Sequence, residues 1–346
     1  MDKIRQVGAS ATVIITCYNL ERYVGDAIRS VLAQTFDGEL EIIAVDDCST
    51  DGSADIIRSF PEVRYVRTER NGGVLLATLS GIETSTSENL FFLDGDDVWD
   101  PGKVAAVMAR FAADGRVGLV THDLTYVDQA GQPLARETRP GREMAEVSSD
   151  GAGEKVRRGI LGIHDYVWLG SAYAVRNSVI ELGGFVAFAR SLPDPANTYQ
   201  DWPLAFWVAA QRKVLLDYVP AKLFSYRLHD LNYSGDARTA ELMLRNLRRT
   251  RNTVQAMLQI AIMRDLPESK IRIVQDRIHF TEYLIALYQG RRIRAGRRFW
   301  RIASDLRRRR VFGKELMRLL AVGLVGPAKF ARLASRRKVL RNLPTT

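Results

Sequence analysis

NLFFLDGDDVWDPGK, residues 89–103, decides how this chain is read. Asn89 to Asp94 carries an unbroken apolar and aromatic run, Leu90 to Leu93, without a helical period, as a strand buried on both faces requires. It ends in Asp94-Gly95-Asp96-Asp97, an acidic turn. Asp100-Pro101 then supplies an N-cap and a proline suited to the first helical position, predicting a helix to about Ala112. Strand, polar turn and helix in such quick succession form the repeating unit of an α/β sheet.

The same unit recurs on either side. Thr12–Thr16 (TVIIT), Leu40–Asp46 (LEIIAVD), Val63–Thr68 (VRYVRT) and Val117–Thr121 (VGLVT) read as further buried strands, and the alternation predicts a largely parallel sheet. Leu20, Tyr23, Val24, Ala27, Ile28, Val31 and Leu32 repeat at three and four residues, predicting a helix over Leu20–Gln34 with one buried stripe. Residues 130–160 mix Gly, Pro, Ser and charge and read as a long loop over one side of the sheet. Beyond it Trp168–Val175 and Val214–Tyr218 read as strands, Asp201–Ala210 as a helix, and everything after about Ala240 as helical.

Charge divides the chain differently. Residues 1–240 hold 24 Lys+Arg against 33 Asp+Glu, a net of −9, whereas residues 241–346 hold 26 against 7, a net of +19. The expectation is a catalytic domain at 1–235 and a helical, arginine-rich region at 236–346. With 46% hydrophobic residues over 346 positions the chain can bury a large core, which excludes a disordered segment or a disulfide mini-scaffold. Cys17 and Cys48 are too few for a bridge network, the first residues do not read as an export signal, and no apolar run is long enough to span a bilayer, so a cytoplasmic location is expected.

In an open α/β sheet ligands bind beyond the carboxyl ends of the strands. Two of those ends are strongly acidic: Asp46-Asp47-Cys48-Ser49-Thr50-Asp51-Gly52, and Asp94-Gly95-Asp96-Asp97. Clustered carboxylates repel unless a cation or donors compensate, and their hard oxygens suit Mn²⁺ or Mg²⁺. Asp-Gly and Ser-Thr-Asp-Gly are also ordinary turn and cap sequences. No G-x-G-x-x-G opens a helix after a strand, which removes a dinucleotide oxidoreductase. No glycine follows the first strand directly, which weighs against a nucleotidylyltransferase.

Seven ordered motifs carry a resemblance: TVIITCYNLERYVGDAIRSVLAQTF, IIAVDDCSTDGS, RNGGVLLATLSGI, FLDGDDVWDPGKV, GGF at 183–185, QDWPLAFWVA from Gln200, and FSYRLHDLNYSG ending at Gly235. Over roughly residues 10–235 the chain resembles the family 2 glycosyltransferases, inverting enzymes of the GT-A fold that use nucleotide-diphosphate sugars. The resemblance implies a Rossmann-like, mixed and mostly parallel sheet flanked by helices. It places Thr16, Cys17, Tyr18 and Asn19 along the nucleotide, Asp47 as acceptor of a hydrogen bond from the base with Asp46 beside it, and Arg70 near the base or solvated at a strand end. Asp94 would lie near the ribose and Asp96 would bind the metal that bridges both phosphates; Asp97 would help or cap the turn. Asp201 matches the family's base, preceded here by Gln200 in place of a glutamate, a change expected to alter a supporting hydrogen bond. His229 would ligate the metal or bond a phosphate, with Arg227 as counter-charge, and Trp168, Trp202 and Trp207 would stack on an acceptor sugar or fill the core.

The chemistry needs those parts. Departure of a nucleoside diphosphate builds charge on phosphate oxygens, which a bound cation stabilises, and an acceptor hydroxyl needs a carboxylate to take its proton. The expected function is sugar transfer, hexosyl or N-acetylhexosaminyl, from a UDP-sugar to a glycan or lipid-linked acceptor in bacterial surface polysaccharide synthesis; the non-enzymatic alternative is a silent adapter. Between Arg291 and Arg341, 18 Lys+Arg stand against two acidic residues, interleaved with apolar ones, which points to an anionic membrane surface or a solvated helical subdomain. No nucleic-acid module is recognisable.

Overall fold

The computed structural model describes residues 10–135, 149–164, 170–229, 239–308 and 312–330, and the chain divides into two compact units, Met1–His229 and Asp230–Thr346. The first unit is built on one mixed, mostly parallel sheet of eight strands. These are β1 (Ser10–Cys17), β2 (Glu39–Asp46), β3 (Val63–Arg67), β4 (Asn89–Asp94), β5 (Val98–Trp99), β6 (Val117–Val127), β7 (Ala174–Arg176) and β8 (Leu215–Arg227). Their spatial order is β3-β2-β1-β4-β7-β6-β8-β5. β1 pairs in parallel with β2 and β4, and the short β7 runs antiparallel between β4 and β6.

Alternation along β1 explains why both faces are covered. Val13 and Ile15 point to the side where α1 (Val24–Leu32), α2 (Ser53–Arg58) and α4 (Lys103–Ala113) bring Val24, Ala27, Ile28, Val31, Ile57, Val104, Val107 and Phe111. Ile14 points the other way, toward α3 (Gly73–Thr84). There a Cβ on Gly81 would lie 2.3 Å from Ile14 Cγ2, so only glycine lets the helix sit that close.

The two acidic turns end up side by side because of the register. Cys17 is paired with Asp46 across β1 and β2, and Thr16 with Asp94 across β1 and β4.

Several expectations need correction. α1 is shorter than Leu20–Gln34: the N–H groups of Tyr23 and Val24 both donate to Leu20 O at 2.9 Å, closing a turn before the helix starts. α4 begins at Lys103 and not at Pro101; Asp100 instead closes the preceding turn, its Oδ1 accepting from Gly102 N at 2.9 Å. Residues 130–160 are not loop throughout, since Ser149–Leu161 is a helix. Its buried Ala152, Val156 and Ile160 stand four apart, a stripe thin enough to be lost among Gly, Arg and Glu. Within Trp168–Val175 the described residues form a 3₁₀ turn, Gly170–Ala172, leading into β7.

The second unit is helical: Ala240–Met263, Glu268–Tyr288, Arg292–Arg301, Ala303–Arg308 and Phe312–Val325. Its first helix is capped by Thr239, whose hydroxyl accepts from Leu242 N at 3.1 Å. Tyr283, Ala286, Leu287, Ala295, Phe299, Ile302, Leu306 and Val322 form its core. No described helix is long and apolar enough to cross a membrane.

Candidate active site

The turn after β2 is occupied by the fold itself. Asp46 is fully buried; its Oδ2 accepts from Tyr65 Oη at 2.8 Å and Arg67 Nη1 at 2.7 Å, and its Oδ1 from Ser49 N at 2.8 Å. Asp47 is buried beside it, with Oδ1 taking Thr68 Oγ1 and Gly72 N at 2.9 Å each and Oδ2 taking Gly73 N at 2.7 Å. Those amides open α3, where a carboxylate is stabilised by the helix dipole as well.

The rest of the turn grips the loop after β1. Asn19, at φ 54°, accepts Thr50 N at 2.8 Å on its Oδ1, while its own N–H donates to Ser49 Oγ at 3.0 Å; Leu20 N donates to Ser53 Oγ at 2.9 Å. Thr16 and Cys17 are buried, burial pushes the Cys17 thiol up to about 12, and Tyr18 is 42% exposed at the lip. Arg70 stands in solvent with no side-chain partner among the described residues; Arg67, which the sequence did not single out, is the arginine that engages this turn.

The turn after β4 differs. Asp97 is buried at its centre: Oδ2 accepts from Ser171 Oγ at 2.7 Å, Oδ1 from Arg227 N at 3.0 Å, and Ser171 Oγ in turn accepts Asp94 N at 3.1 Å. Asp94 Oδ1 takes Gln200 Nε2 at 2.9 Å and Thr16 Oγ1 at 3.4 Å. Burial and then the charge of Asp96 raise the Asp94 carboxyl to about 6; burial, Asp96 and Asp94 push Asp97 well above the usual carboxylate range.

At the far side β8 ends in Arg227 and His229. Arg227 donates to Asp96 O at 3.0 Å, to Gln129 O at 3.1 Å and to Asp26 Oδ2 at 3.2 Å, clamping the turn to α1 and the strand. His229 Nε2 lies 3.0 Å from Asp96 Oδ2, and its ring rests 4.4 Å from that of Tyr23.

Asp201 opens the Asp201–Ala209 helix, and its Oδ1 accepts the next residue's amide, Trp202 N, at 3.0 Å. Its carboxyl is raised to about 7 by burial and then by Asp94. Gln200 bridges the two sides, taking the Thr78 hydroxyl on its Oε1 while donating to Asp94. The space they enclose faces Gly170, where a Cβ would lie 2.9 Å from Gln200 Nε2, 3.7 Å from Asp201 Cβ and 3.8 Å from Asp94 Oδ2. Asp94, Asp96, Asp97, Asp201 and His229 thus share one end of the sheet.

Two supporting residues escaped the sequence reading. Ser171 carries no motif of its own. Lys103 is fully buried, its Nζ donating to Ser171 O and lying 3.8 Å over the Trp99 ring, and burial lowers its affinity for a proton strongly. A signal existed: Lys103, Val107 and Phe111 share one helical face, so the lysine sits on the apolar stripe. Of the tryptophans, Trp207 is core, donating to Ile180 O at 2.8 Å between Phe185 and Phe188, and Trp202 lies half-buried against Tyr199. Trp168 lies outside the described residues.

Comparison with known proteins adds the context. Residues 12–166 match the family model "Glycosyl transferase family 2". An uncharacterized glycosyltransferase of Nostoc sp. is 36% identical over 142 residues, 39% of this chain and 42% of that protein. TuaG of Bacillus subtilis, a glycosyltransferase named for teichuronic acid biosynthesis, is 36% identical over 127 residues, 36% of this chain and 50% of its own length. The chain therefore matches half or less of the length of these relatives. TarS residues 1–349 of S. aureus, solved with UDP-GlcNAc, shares the fold at a TM-score of 0.52 and 15% identity, over 86% of this chain and 92% of that one.

Proposed function

Since the chain belongs to glycosyltransferase family 2 through residues 12–166, we propose that its first unit moves a hexosyl or N-acetylhexosaminyl group from a UDP-sugar to a hydroxyl of a glycan or lipid-linked acceptor, with inversion. The observation that carries this reading is the convergence of Asp94, Asp96, Asp97 and Asp201 at one sheet end, with proton affinity raised at three of them. The UDP-GlcNAc of TarS and the name of TuaG make UDP-GlcNAc the first donor to test and surface polysaccharide synthesis the setting.

The donor set fits a hard divalent cation, Mn²⁺ or Mg²⁺. Asp96 and His229 would hold it. Among the described residues no three His, Cys, Asp or Glu side chains converge as metal ligands, so phosphate oxygens and water would complete the shell, as Mg²⁺ prefers. When bound, the cation offsets charge developing on the departing phosphate.

The remaining steps belong to the chain. Asp201 accepts the acceptor's proton; a carboxyl raised to about 7 is matched to that task near neutral pH. Gln200 holds Asp94 in place beside it. Asp97 fixes the turn through Ser171 and Arg227. The exposed Tyr18 would pack along the nucleotide.

The test is release of UDP from a panel of UDP-sugars with Mn²⁺, repeated with Asp96→Ala, and the anomeric configuration of the product by NMR. Turnover abolished by Asp96→Ala with inverted product supports the reading; no turnover of any nucleotide sugar favours the silent adapter.

A further inference from the structure

The second unit carries a surface that sugar transfer does not use. In the Arg292–Arg301 helix Ala295 and Phe299 are fully buried in that unit's core, which turns the opposite side outward. On that side stand Ile293, 76% exposed, and Trp300, 62% exposed, seven residues and so two turns apart. Arg291, Arg292, Arg294, Arg297 and Arg301 are exposed around them, and none has a carboxylate partner among the described residues. Arg298 alone on this stretch is paired, with Glu282.

The Phe312–Val325 helix repeats the theme. Val322 is buried, whereas Met317, Leu320 and Leu324, at spacings of three and four, are exposed, Leu324 at 85%. Phe312 at its start lies 6.2 Å from the ring of Trp300, so the two helices meet beside the exposed tryptophan.

Unpaired guanidinium groups and bare apolar side chains on the same helices specify what can cover them. A nucleic acid would satisfy the arginines and leave Ile293, Trp300 and Leu324 in water. A bilayer of anionic phospholipid supplies both needs, phosphates at headgroup depth and acyl carbon just beneath. With no described helix able to span, contact lies in the plane of the interface. We propose that the Arg292–Arg301 and Phe312–Val325 helices dock this chain on an anionic phospholipid surface, with the arginines on headgroup phosphates and Ile293, Trp300 and Leu324 at the acyl boundary. Binding through these helices of the second unit does not depend on the reaction assigned to the first.

The experiment is co-sedimentation of the full chain with vesicles of phosphatidylglycerol in phosphatidylcholine against phosphatidylcholine alone. Binding to the anionic vesicles only, weakened by salt, is expected, with a drop of about tenfold or more in R292E/R297E at roughly 1 kcal/mol per basic contact. A blue shift of tryptophan emission on binding should be largely lost in Trp300→Phe, a change that leaves the helix face intact. Equal binding to neutral vesicles, binding to neither, or unchanged partition of R292E/R297E would overturn the proposal. Salt-sensitive binding to duplex DNA without binding to vesicles would assign the arginines to nucleic acid instead.

Discussion

The turns after β2 and β4 look alike as sequence, each a strand running into clustered aspartates, yet they are opposite kinds of place. Around Asp46 and Asp47 every carboxylate oxygen meets a donor: Tyr65, Arg67 and Ser49 for one, Thr68, Gly72 and Gly73 for the other. Around Asp94, Asp96 and Asp97 burial and then the carboxylates' push on one another make Asp94 and Asp97 hold protons more tightly than usual. Carboxylates met by donors hold a loop in place, whereas carboxylates that repel one another would be relieved by a cation, as proposed for the β4 turn. Counting aspartates does not distinguish the two; how strongly the carboxylates repel one another does.

The largest effect should come where the carboxylates repel. Asp201→Asn is expected to lower transfer by about 10²–10⁴-fold, the usual worth of a general base, without loss of melting temperature. A rate within tenfold of wild type would remove Asp201 from the mechanism. Next in size, Asp46→Ala should cost about 3 kcal/mol in urea unfolding through its lost charged hydrogen bonds. Asp96→Asn should cost under about 1 kcal/mol, because an isosteric amide keeps a hydrogen bond to His229 and removes a charge from the cluster, while abolishing the rise in melting temperature expected with Mn²⁺ in the wild type. Equal destabilisation by the two changes would erase the contrast between the turns.

A smaller effect follows from pH. Folded carboxyls at about 6 for Asp94 and about 7 for Asp201 lie above the unfolded value, so the folded protein binds those protons more tightly. Their contribution to stability is complete below about pH 4 and is lost as pH rises through 6 and 7, worth about 1 to 3 kcal/mol. Without metal the melting temperature should therefore gain less between pH 5 and 8 than in Asp201→Asn; matching profiles would refute the assignment. Smallest of all, Gln200→Glu replaces a donor to Asp94 with one more carboxyl. The acid limb of the pH–rate profile should then move up by about one unit, about 1.4 kcal/mol; an unmoved limb would show that Gln200 only packs.

Much of this was legible in the sequence because strands buried on both faces must be apolar throughout. TVIIT, LEIIAVD and NLFFLD leave no other reading, and register does the rest by bringing Asp46 and Asp94 to either side of β1. The Ser149–Leu161 helix was not legible, because Ala152, Val156 and Ile160 cover one narrow stripe amid polar residues. Nor was the buried set behind the turn. Lys103 and Ser171 are held by contacts 68 residues apart along the chain, and no local spacing reports such a pairing. Arg70 and Arg67 show the same limit: three residues apart, one points to water and the other closes the β2 turn.

The bond from Arg227 N to Asp97 also dictates a timetable. Its partners are 130 residues apart, so during synthesis the acidic turn leaves the ribosome long before the strand that braces it. Until β8 docks, Asp97 lacks one of its two donors and His229 has not reached Asp96. On the function proposed above, a half-made chain would therefore lack its site, which is complete only when the last strand of the sheet docks.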